Sequence, residues 1–148
     1  MSEVRGERNR GRLAVWPALP LALTLALGCA PAASGPPAIK VGSSCAACGM
    51  DIQDLRFAAE RKAEGKWLVY DSIECLIRDG MAGEMWLPDY HTKSLHPAAD
   101  VWVVKGNIAS PMGGGFASFA ARPSADSTAA QTQGRVDRLS AFAGAAAQ

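Results

Sequence analysis

Glycine-marked turns recur at short intervals along this chain, and this limits what it can fold into. Gly65, Gly80, Gly106, the Gly113-Gly114-Gly115 run and Gly134 each close a short patterned segment. Such spacing favours short strands and short helices over long ones. Residues 56–60 and 67–70 read as strands joined by a hairpin around Gly65. Asp71-Ser72 is a candidate N-cap for a helix over 73–78, with Glu74 in its first turn and Gly80 as its stop. Residues 81–87 fit either a strand or a helix tail, and Met81 and Met85, four apart, read as packing on one apolar face. Residues 88–97 read as a loop carrying His91 and His96. Residues 101–104 are the clearest strand, followed by a glycine-rich loop over 110–115 and a strand over 116–121. A helix over 124–133, capped by Ser124, and a strand over 136–139 complete the pattern. The two halves echo each other weakly, each with a methionine-bearing loop, strand, short helix and turn. The expected class is α+β, a small domain.

The N-terminus reads as an export signal. Arg5, Arg8, Arg10 and Arg12 precede an apolar stretch over residues 13–27 that Pro17 and Pro20 interrupt. A comfortable membrane-spanning helix wants about 20 apolar residues. The stretch ends in Leu25-Ala26-Leu27-Gly28-Cys29, which resembles a bacterial lipobox. Residues 1–28 are therefore expected to be removed and Cys29 lipidated, with Ala30 after it favouring the outer membrane. An ordinary cleaved signal is the alternative. Residues 29–38 are a Pro/Ser/Gly/Ala tether, residues 39–139 the folded domain, and residues 140–148 an Ala-rich disordered tail. The whole chain holds 15 basic and 14 acidic residues, and without the four Arg and two Glu of residues 1–28 its net charge is −1. No basic face for nucleic acid is indicated.

The chemistry concentrates in Cys45-Ala46-Ala47-Cys48-Gly49-Met50. A bare C-x-x-C is ambiguous between redox work, zinc and a disulfide. The thioether of Met50 adds a soft donor, and thiolate with thioether suits Cu(I). Cys48 and Met50 point the same way in an extended segment, and Gly49 lets the backbone approach an ion. Met112, among glycines, is a candidate third ligand, although a methionine can equally fill a core gap. His91 and His96 are further candidates, as is Cys45. Cys75 reads first as a small buried core thiol, with a disulfide to Cys45 as an alternative. With Cys29 lipidated, three cysteines remain, so at least one thiol stays free or bound to something. A zinc site from Cys45, Cys48, Cys75 and a loop histidine is a competing reading. Redox catalysis would call for a long helix opening at the motif, and none is indicated. No Ser-His-Asp spacing, P-loop or dinucleotide fingerprint is present. The expectation is a binding protein rather than an enzyme.

These residues, in this order, resemble the NosL family. The resemblance rests on Cys29, Cys45-x-x-Cys48-Gly49-Met50, Pro88-Asp89-Tyr90, Ala99-x-x-Trp102-Val103-Val104-Lys105-Gly106, Pro111-Met112-Gly113, Phe116-Ala117-Ser118-Phe119 and Gly134-Arg135-Val136. It implies a domain of two small β-β-α-β lobes. It further implies a lipid-anchored, periplasm-facing Cu(I) chaperone serving the copper centres of nitrous oxide reductase through an ABC-type maturation complex. The ligands it implies are Cys48 and Met50, with Met112 as the third. The segment between the first helix and Asp89-Tyr90 is shorter here than is usual in the family, and the last helix is richer in Ala, Ser, Thr and Gln.

Overall fold

The computed structural model describes residues 35–144. The expected signal peptide, Cys29 with its expected lipidation, the start of the expected tether and the last residues of the Ala-rich tail lie outside that range. Among the described residues, no helix is long and apolar enough to cross a membrane.

The first half of the domain contains β1 (Ala59–Ala63), β2 (Lys66–Tyr70), α1 (Ile73–Asp79) and β3 (Glu84–Pro88), followed by a short β4 (Leu95–Pro97). Glu64 and Gly65 both adopt positive φ, 51° and 78°. They form the two-residue turn that pairs Ala63 with Lys66, a turn class whose twist matches that of the strands. Ser72 caps α1, its hydroxyl accepting the Cys75 amide N–H at 3.3 Å, and Gly80 ends it. All pairings are antiparallel, in the order β2-β1-β3-β4.

The second half repeats this plan with β5 (Trp102–Lys105), β6 (Phe116–Phe119), α2 (Arg122–Thr132) and β7 (Arg135–Asp137). The order is β6-β5-β7, again antiparallel. In both halves the first strand lies between the second and third. The weak echo in the sequence is thus a repeated β-β-α-β architecture, and the domain is α+β as expected.

Strand alternation decides what each sheet faces. Val103 and Phe116 of the second sheet join Ala59, Tyr70, Ile73, Leu76 and Leu87 of the first half in one buried cluster. The opposite face, with Val104, Ala117 and Phe119, packs on Ala125 and Ala129 of α2. The larger core therefore belongs to both halves.

Several sequence expectations need correction. Residues 56–60 are not one strand. Asp54 accepts the Arg56 amide and guanidinium N–H groups, forming a local turn, and the strand begins at Ala59. That side-chain bond to nearby backbone competes with the ladder. Within residues 81–87 the strand β3 begins only at Glu84, so Met81 lies before it and does not share a helix with Met85, although both pack against the main core. The 88–97 loop contains β4, which pairs His96 with Leu87. Helix α2 starts before Ser124, with Pro123 in its first turn and no side-chain cap. Its left-handed terminal residue is Gln133 rather than Gly134. The final strand stops at Asp137, and the expected frayed end is instead a 3-10 helix over Leu139–Phe142. Phe142 is 1% exposed and meets Phe116 edge-on at 5.5 Å. A single aromatic in an Ala-rich segment is enough to anchor it.

Candidate metal centre

The residues 45–50 form a closed loop. The Cys45 N–H donates to the Met50 carbonyl at 2.8 Å, and the Gly49 N–H donates to the Cys45 carbonyl at 2.9 Å. Gly49 has φ +77°, a left-handed position where glycine avoids the Cβ penalty. Ser44 and Asp51 close the loop with an isolated antiparallel bridge. The Ala46 N–H donates to the Val69 carbonyl at 2.8 Å, which fastens the loop to the end of β2. The chain then passes Asp71 and the Ser72 cap and places Cys75 in the first turn of α1.

This route brings four donors together. The sulfurs of Cys45, Cys48 and Cys75 and a carboxylate oxygen of Asp71 all lie within 4.8 Å of one another. All three thiols are free. The Cys45 thiol donates to Asp71 Oδ1 at 3.5 Å, and the Cys48 thiol donates to Oδ2 at 3.7 Å. Cys45, Asp71 and Cys75 are buried, whereas Cys48 is partly exposed. Burial raises the thiol pKa of both Cys48 and Cys75, and the Asp71 carboxylate adds to the rise in each case. Protons therefore stay on these sulfurs until something displaces them. A metal ion does so on binding; a redox nucleophile would need the opposite shift.

Met50 sits at the end of the loop, 47% exposed, one of two exposed large hydrophobics among the described residues. Met112 is half-buried and, like Cys48, packs against the core cluster that contains Cys45 and Cys75. Its loop is held to α1 by Ser110, whose hydroxyl donates to Glu74 Oε1 and accepts the Gly115 N–H at 2.9 Å. A Cβ at Gly114 would come within 2.3 Å of the Glu74 side chain, so this approach requires glycine. The two histidines lie outside the thiol cluster. The His91 ring packs on Tyr90 and Phe119, and His96 lies in β4.

Asp71 was hidden in the sequence, and Cys75 entered the cluster only through the competing zinc and disulfide readings. Asp71 looked like an N-cap and is instead the acceptor for two thiols. Cys75 looked like a core residue and faces Cys45 and Cys48. The odd cysteine count was the available signal.

No protein-family model matches the chain, and no curated protein matches it. Among solved structures, the copper chaperone NosL from Shewanella denitrificans superposes with a TM-score of 0.62 at 20% sequence identity. The match covers 72% of this chain and 93% of that one. The fold is NosL-like. The described domain thus shares the fold of that structure and, independently of that likeness, brings together a cysteine-rich cluster that could hold a metal ion.

Proposed function

We propose that the protein is a Cu(I)-binding chaperone that carries its ion and catalyses no reaction of its own. The observation that carries this reading is the convergence of three free thiols within 4.8 Å, with the exposed thioether of Met50 ending the same loop. Cu(I) accepts two or three soft ligands, so the three thiols together with Met50 offer more donors than the ion needs. Cys48 and Met50 are the proposed primary ligands, with Met112 as the third and Cys45 and Cys75 as buried partners. A partly exposed Cys48 beside an exposed Met50 suits stepwise ligand exchange with an acceptor. The NosL-like fold and the sequence resemblance support a destination in the copper centres of nitrous oxide reductase, reached through an ABC-type maturation complex. Cleavage after residue 28 and lipidation of Cys29 would hold the domain at the periplasmic face of the outer membrane.

Titration of the reduced protein with Cu(I) against a chromogenic chelator tests the reading. One tight equivalent is expected, weakened by about tenfold or more in Cys48→Ser and in Met50→Leu. Unchanged binding by Met50→Leu would remove the thioether from the site. A second reading, a zinc staple, draws on Asp71, because three sulfurs and one carboxylate oxygen can close a four-coordinate zinc site. It predicts unfolding on zinc chelation and Zn²⁺ binding that Met50→Leu leaves untouched.

A further inference from the structure

The loop that carries the thiols has a second copy between β3 and β4, docked on β6 of the second half. Residues 89–94 repeat residues 45–50 bond for bond. The Asp89 N–H donates to the Ser94 carbonyl, as Cys45 does to Met50, and the Lys93 N–H donates to the Asp89 carbonyl, as Gly49 does to Cys45. Lys93 has φ +64° where Gly49 has +77°. The Tyr90 N–H donates to the Ser118 carbonyl in β6, as Ala46 does to Val69 in β2. Pro88 pairs with Leu95 as Ser44 pairs with Asp51.

The correspondence locates each donor's counterpart. Cys45 becomes Asp89 and Cys48 becomes Thr92. Asp71, which follows the last residue of β2, becomes Ala120, which follows the last residue of β6. Cys75, third in α1, becomes Ser124, third in α2. Every soft donor of the first site is absent from the second. The backbone has nevertheless kept a cleft there of about 470 Å³, and both histidines of the chain line it, together with Thr92, Ser94 and Ser124.

We infer that this cleft is a second metal site, of different hardness, in which His91 and His96 hold a borderline divalent cation. Imidazole nitrogens suit Ni²⁺, Cu²⁺ and Zn²⁺, and hydroxyl oxygens can complete such a shell, whereas Cu(I) prefers the sulfurs of the first site. Asp89 supplies charge rather than a ligand. It is 6% exposed, and its oxygens already accept the N–H groups of His91, Thr92 and Ala120 and the Thr92 hydroxyl. A buried negative charge in its wall makes the cleft favour a cation.

The chain has only two histidines, so imidazole NMR resonances report on this cleft and not on the thiols. Titration with Ni²⁺ should affect both imidazoles with one midpoint. His91→Gln and His96→Gln should each weaken the response of the remaining ring by about tenfold or more. Two different midpoints, no response of either ring, or a ring that responds unchanged without its neighbour would overturn the site. The readout stands whether or not the thiol cluster binds copper, so failure of the copper reading is seen separately.

Discussion

At the scale of single residues, Asp71 and Glu60 show how burial gives a carboxylate two different fates. Asp71 is 2% exposed and accepts from two thiols. Asp71→Asn keeps the shape and removes the charge. If Asp71 orients the thiols rather than binding the ion, Cu(I) affinity should fall by about 10- to 100-fold, as for other groups that orient ligands, while Cys48→Ser should cost more in the same chelator competition. Glu60 is fully buried on β1 with neither carboxylate oxygen hydrogen-bonded. Burial raises its pKa from 4.5 to about 7. The folded state then binds more protons than the unfolded state between those values, so this residue's contribution to stability falls as pH rises from about 4.5 to about 7. Glu60→Gln should flatten the pH dependence of the urea midpoint across that window. An unchanged slope would show that another group titrates there.

At the scale of elements, the contact between the glycine-rich loop and α1 ties the segment that carries Met112 to the helix that carries Cys75. Ser110 bridges Glu74 and Gly115, and the Glu74 Oε2 atom has no hydrogen-bond partner. Ser110→Ala would leave both Glu74 oxygens unpaired. It should destabilise the domain by about 1–3 kcal/mol, the usual cost of orphaning a buried acceptor, measured as a lowered urea midpoint. Its effect on Cu(I) affinity should exceed that of Ser127→Ala, a substitution on the exposed side of α2, because the Ser110 loop carries Met112. Gly115 adds a second constraint. At φ +74° its Cβ would lie 2.1 Å from the Gly106 carbonyl oxygen, so Gly115→Ala cannot be absorbed by a side-chain rotation.

At the scale of the whole molecule, the two halves share the core that holds Cys45 and Cys75. The halves should therefore unfold together, giving one transition by circular dichroism and tryptophan fluorescence. Phe142 belongs to that core. Phe142→Ala should cost about 3–5 kcal/mol, and its denaturation midpoint tests whether the C-terminal turn is structural. A midpoint equal to the parent's would return this segment to the tail that its alanine content suggested.

The sequence by itself determined the local pieces. Gly65, Ser72 and Gly80 fixed a hairpin turn, a cap and a stop through backbone chemistry that depends only on neighbours. The α+β class and the donor-rich loop over residues 45–50 followed from patterns of the same short range. Tertiary structure decided what those pieces meet. Asp71 and Cys75 join Cys45 and Cys48 where the loop packs into the core and the Ala46 amide docks on Val69. That bond links residues distant in sequence, and no local pattern encodes it. The same holds for His91 and His96, which appeared as isolated loop residues. Folding placed them on the walls of a cleft that copies the thiol site's backbone without its sulfurs.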